Sequence, residues 1–266
     1  MSHLLRSHAP ITDSAWELLD GEARNRLTAT LAARKVVDFA GPFGWEHSAA
    51  NLGRTVELAG GPEGVRGLQR KVLPLVELRA EFAIPLDELR DHDRGSPDVD
   101  LSALDEAAHA VAVAENIAVF HGWSEAGITG ITEASPHSAQ TLGKKTESYP
   151  RPVAAAVELL LQTGIGGPYA IALGSDQYTH VVETAERGGY LVLDHVRKIL
   201  EGPVIWAPGV DGAVVVSLRG GDFLFEAGQD LGIGYDYHDT EAVHLYLQES
   251  FSFIVATPEA AVHLTP

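Results

Sequence analysis

The sequence predicts an α+β fold on three observations. Apolar residues recur at spacings of three and four near the N-terminus and again after residue 102, as amphipathic helices require. Short helical and strand patterns intermix between residues 152 and 218. From residue 223 onward only alternating or wholly apolar runs remain, bounded by Gly and Asp, which is the pattern of antiparallel strands.

Each element follows in order. Trp16, Leu19, Ala23, Leu27, Leu31 and Arg34 share one face of a helix over residues 12–34, with Thr12 or Asp13 placed to cap it. That stripe either docks on the body of its own chain or leaves a groove for a partner peptide. Val56 and Leu58 alternate with Thr55 and Glu57, and Val76, Leu78, Ala80, Phe82 and Ile84 alternate with Glu77, Arg79 and Glu81. Two strands joined through GGPEG predict a long ribbon, with too little apolar surface to stand alone, that should lie against something else such as a neighbouring subunit. Ser102-x-x-Asp105 has the form of a capping box, and Leu104, Ala107, Ala108 and Val111 carry a buried helix to about Phe120. Helices are expected at 152–162, 176–186 and 191–200, and strands at YAIAL, VIWAP, AVVVSL, FLFEAG, LGIGY and AVHLYLQESFSFIVA. Glycines and prolines sit at element boundaries rather than in one hinge, so separable domains are not expected.

Composition narrows the function. The 266 residues are 45% hydrophobic, enough for a sizeable core, and carry a formal net charge of -18. Such a surface repels phosphate backbones and anionic lipid, so neither nucleic acid nor a membrane is an expected partner. Without cysteine the chain has no disulfide, thiolate metal site or cysteine nucleophile, in keeping with a reducing cytoplasm. Leu4 and Leu5 are too short an apolar run for a secretory signal, and no run reaches the roughly 20 residues a membrane helix needs.

Four motifs invite a chemical reading, and each has a plainer one. TGIGGPYA places Gly164 and Gly166 as in a dinucleotide fingerprint, but Tyr169 takes the third glycine's place and the loop runs from helix to strand, the wrong order for a phosphate cradle. GWSEAG has one residue too many after Ser124 for a nucleophile elbow. Glu106-x-x-His109 and Glu241-x-x-His244 suggest a di-iron pair, yet the second lies on a strand, where residues three apart face opposite ways. DYHD (Asp236 to Asp239) reads as a turn between strands, lacking the ligand register of a calcium loop. No catalytic residue and no metal site are expected.

Four blocks resemble the encapsulin shell proteins, the linocin M18 family. They are AARKVVDFAGPFGWEHSAANLG (32–53), LPLVELRAEF (73–82), RGSPDVDLSAL (94–104) and the long stretch from RGGDFLFEAG through FIVATPEA (219–260). The resemblance covers nearly the whole chain and implies the HK97 phage capsid-like fold. Its peripheral domain would comprise residues 1–45, 72–129 and 220–266, its extended loop residues 46–71, and its axial domain residues 130–219. The implied function is a structural shell protein, not an enzyme. It would close into an icosahedral nanocompartment in the cytoplasm, a homo-oligomer of about 60 copies in a T=1 lattice, around a cargo enzyme bearing a C-terminal targeting peptide. A dye-decolorising peroxidase or a ferritin-like protein is the expected cargo. The competing reading is the bacteriocin or protease activity long attached to such sequences.

By analogy with the family, the N-terminal helix and the late strands form the cargo groove. Leu27, Leu31, Leu231 and Ile233 would take apolar peptide side chains, and Arg34 and Asp38 would fix its polar groups. The segment Glu186, Arg187, Gly188, Gly189 and Tyr190 would line the five-fold pore. Flavin-carrying members are expected to have a stacking aromatic in the PLDEL region; Asp87 stands there, so no cofactor is expected.

Overall fold

The computed structural model describes residues 3–143, 145–185 and 189–266. Helix α1 (Asp13–Thr30) starts where the sequence places it, the Thr12 side chain accepting from the Ala15 amide at 3.2 Å. It ends four residues early. Asn116, fully buried, takes the amides of Ala32 and Ala33 on its Oδ1 (2.9 and 3.0 Å) and donates to the carbonyls of Thr30 and Pro208 (2.9 and 3.0 Å). A side chain that uses all its bonding capacity on the turn competes with helix propagation, so Leu31 and Arg34 lie past the helix rather than on its stripe.

After β1 (Asp38–Ala40), strands β2 (Ala49–Leu58) and β3 (Gly67–Pro74) pair antiparallel as a separate two-stranded sheet. This corrects the predicted ribbon. The partner of β2 is β3, whereas β4 (Val76–Pro85) turns inward and pairs with β11 (Ala242–Val255) over ten residues. The difference is burial: Leu78, Phe82 and Ile84 of β4 are buried, while Val56, Leu58, Val65, Leu68 and Val72 of the ribbon are exposed.

Helix α2 (Leu86–Asp93) leads to α3 (Ser102–Phe120), which packs on β4 and β11 and supports α1. The expected Ser102 cap is not made. Ser102 is the first helical residue, and its amide donates to Asp100 Oδ1 at 2.9 Å, so Asp100 does the capping. Beyond α4 (Ile131–Ala134) and the short β5 (Gln140–Thr141) come α5 (Pro150–Gln162), β6 (Tyr169–Leu173), α6 (Ser175–Glu183), α7 (Val192–Leu200), β7 (Val204–Trp206) and β8 (Ala213–Ser217). The chain returns through β9 (Phe223–Ala227) and β10 (Gly232–His238) to β11, and finishes in β12 (Ala261–Thr265).

Among the described residues two five-stranded sheets result. The first runs β1-β9-β11-β10 with β4 also on β11; the 14-residue β11 is long enough to pair β4 and β10 near its start and β9 at its end. The second runs β5-β12-β8-β6-β7. The last strand, which the sequence pattern did not predict, belongs to the second sheet, where Ala261, Val262 and Leu264 are buried against β8. One apolar core joins both sheets, with Phe225 stacked on Phe251 at 4.7 Å in the first and β6 and β8 wholly buried in the second.

Candidate functional site: a cleft between the first helix and the edge strand β10

Helix α1 and strand β10 flank a cleft of about 440 Å³. Helical spacing brings Ala23 and Leu27 to it, the turn after α1 adds Leu31 and Arg34, and β10 with its preceding turn supplies Asp230, Leu231 and Ile233. Five of the six sequence-predicted cargo residues thus meet here. Leu27, Leu31 and Ile233 are mostly buried and form the floor, while Leu231 is partly open. Arg6, Asp20 and Arg24 stand around it.

Asp38 is not in the cleft. It begins β1, where its Oδ2 accepts from the Gly221 amide at 2.6 Å and ties β1 to the turn before β9. Asp20 and Asp230 are the acids at the cleft, and Asp230 was missed in the sequence although it adjoins Leu231.

Arg34 lines the cleft and is anchored by three acids. Its Nε bonds Glu115 Oε2 at 2.7 Å, Nη2 bonds Glu249 Oε2 at 2.5 Å, and Nη1 bonds Asp230 Oδ1 at 2.7 Å. The guanidinium also stands 5.1 Å from the Phe225 ring centroid and 5.2 Å from that of Phe39. Through these three carboxylates Arg34 pins α3, β11 and the β9–β10 turn beside the cleft that it lines. Burial on its own would lower its pKa, but the charges of Glu115 and Glu249 outweigh that and raise it.

Glu115 and Glu249 are fully buried, and one oxygen of each has no hydrogen-bond partner among the described residues. Burial pushes both carboxyls up, Glu249 furthest because the Glu115 charge adds to it, while Arg34 pulls against the rise. The signal was present in the pattern: Glu115 falls on the buried face of α3, and Glu249 shares parity with Leu245, Leu247 and Phe251 on β11.

The other candidates take their plainer readings. Gly166 gives its carbonyl to the Ser217 hydroxyl at 2.7 Å in a loop between α5 and β6. Ser124 Oγ donates to Glu125, its own neighbour, in a 3-10 turn. Asp239 caps the β10–β11 hairpin by accepting from the Glu241 and Ala242 amides (2.8 and 2.9 Å), which with His244 holds its pKa down at about 2. Glu106 and His109 are exposed on α3, and no group of three metal-ligating side chains forms among the described residues. Asp87 is exposed and paired with Arg90 at 2.9 Å. Of the pore segment, Glu186, Arg187 and Gly188 lie outside the described residues; Tyr190 is exposed, with its ring edge toward His195. No helix among the described residues is long and apolar enough to cross a membrane.

A family model described as "Encapsulating protein for peroxidase" (Linocin_M18) matches residues 1–252. The chain is 49% identical over 270 residues to a type 1 encapsulin shell protein of Rhodospirillum rubrum, covering 99% of this chain and 96% of that one. It is 39% identical over 265 residues to the type 1 encapsulin shell protein of Mycobacterium tuberculosis, covering 100% of both. Among solved structures, the virus-like particle from Pyrococcus furiosus shares the fold with a TM-score of 0.66 at 17% identity, over 94% of this chain and 98% of that chain.

Proposed function

Since the chain belongs to the Linocin_M18 family of encapsulating proteins, we propose that its α1–β10 cleft receives the C-terminal targeting peptide of an enzyme enclosed by a shell of its copies. The protein is a self-assembling structural shell subunit with the HK97-like capsid fold. The ribbon agrees physically: among the described residues β2 and β3 pair only with each other, and together with the turn between them they expose five large apolar residues that a neighbouring copy would cover.

The observation that carries the cargo reading is the cleft itself. Leu27, Leu31, Leu231 and Ile233, from elements more than two hundred residues apart, make one apolar floor open on one side. An extended tail placing small apolar side chains there gains affinity from their burial, and repetition around the shell multiplies the guest's hold. The family description supports a peroxidase as that guest. We assign residues 1–45, 72–129 and 220–260 to a peripheral domain, 46–71 to the extended loop, and 130–219 with β12 to an axial domain whose Gly189–Tyr190 turn faces the five-fold pore. The shell is a cytoplasmic T=1 particle of about 60 copies without catalytic activity of its own.

Leu231→Asp tests the cleft. It sets a charge on the apolar floor at a partly open position, so folding and assembly should survive. Mass spectrometry of purified shells should then find the guest absent; a guest retained at wild-type ratio overturns the assignment.

A further inference from the structure

The N-terminal segment runs along the outer edge of β10, beside the cleft. Strand β10 ends its sheet, paired with β11 on one side only. On its other side the Tyr235 amide donates to the Leu4 carbonyl at 2.9 Å, as a further strand would arrange it. Leu4 passes over Gly232, where a Cβ would lie 3.3 Å from Leu4 Cδ1, so the missing side chain makes room for it.

What holds this segment down is modest and replaceable. Arg6 bridges to Asp20 at 2.8 Å, both about one-third exposed, and lies 4.0 Å over the Trp16 ring. His3 stacks on Trp45 at 4.3 Å and bonds the Gln229 side chain. Leu5 is 41% exposed and adopts φ 52°, a left-handed conformation unfavourable for leucine. The segment therefore covers a strand edge while leaving one of its own leucines in water and its backbone strained.

We propose that the edge of β10 accepts an extended peptide by strand addition, that residues 3–6 of the same chain are its resident occupant, and that an entering guest tail displaces them. The proposal rests on the cleft reading above and adds how the tail binds and what it competes with. A tail with apolar side chains at alternate positions bonds the same backbone edge and reaches Leu231 and Ile233, which the resident segment leaves to the open cleft.

The probe is a fluorescently labelled synthetic peptide, SHLLRSH, copying residues 2–8, titrated by anisotropy into assembled shells. His3→Ala with Arg6→Ala removes the side-chain contacts that hold the resident copy, and both sites are exposed enough to tolerate it. The double variant should bind the probe saturably, and wild-type shells about tenfold more weakly or worse, because an occupied edge is competent for only a fraction of the time. Equal binding to both, or none to the double variant, overturns the proposal. Leu231→Asp in the otherwise unchanged chain separates the two readings. Guest lost there with no probe taken up by the double variant removes the strap and leaves the cleft; guest retained there removes the cleft.

Discussion

Glu249→Gln deletes one of two carboxyls buried against Arg34 while keeping the side chain's shape and an oxygen that still accepts from the guanidinium. In the native cluster one guanidinium serves Glu115, Glu249 and the half-exposed Asp230, so full ionisation leaves two negative charges uncompensated. Burial first, then the Glu115 charge, raises Glu249 well above the ordinary 4.5, and burial raises Glu115. The folded pair thus keeps a proton that the unfolded chain has released. Because the folded pKa is the higher one, stability is greatest below the ordinary glutamate range. It falls as pH rises from about 4.5 toward the pair's raised pKa, where the loss levels off. One retained proton gives a slope of about 1.4 kcal/mol per pH unit within that window. E249Q removes the group raised furthest and leaves Glu115 and Asp230 to share Arg34, so this slope should become shallower. Guanidinium unfolding of both proteins at equal concentration, between roughly pH 5 and 8, reads the effect. The variant's advantage over wild type should widen with pH; two parallel curves refute the shared proton.

Removing Arg34 instead, by Arg34→Ala, strands both buried carboxylates and should cost about 3–5 kcal/mol in the same unfolding assay. Truncation at Arg34 is for that reason a poor test of peptide binding. Asn116→Ala abandons two amides and two carbonyls in the core and should cost about 2–4 kcal/mol, with α3 itself intact by circular dichroism. Leu58→Asp with Val65→Asp charges the ribbon at two exposed positions; the subunit should melt as before, yet fail to form particles by gel filtration.

Much of this fold was legible because its helices and strands carry their own periodicity. The stripe from Trp16 to Leu27, the apolar face of α3 and the alternation of β11 each predict an element that forms with nearly those bounds. What escaped was decided by partners distant in sequence. Asn116 ends α1 from 84 residues away, and no local signal in residues 28–34 announces it. The partner of β2 was misplaced because β3 alternates Leu68, Arg70 and Val72 in a polar stretch that reads weakly as a strand, whereas β4 reads strongly and is claimed by β11. Within the cleft, helical spacing singled out Ala23, Leu27, Leu31 and Arg34, and the family resemblance supplied the cargo role and added Leu231 and Ile233. The anchoring of Arg34 was not legible, since its three acids come from α3, β11 and the turn before β10. Glu115 and Glu249 were detectable as acids in apolar register, a mismatch of the kind that marks a buried network.

Assembly into a closed shell is the property on which every other role of the subunit depends. Electron microscopy of the purified protein, with its mass measured by light scattering, should show closed hollow particles of uniform diameter and about 60 chains of 28.4 kDa each, near 1.7 MDa. A monomer or dimer at every concentration, with no round particles on the grid, would contradict it.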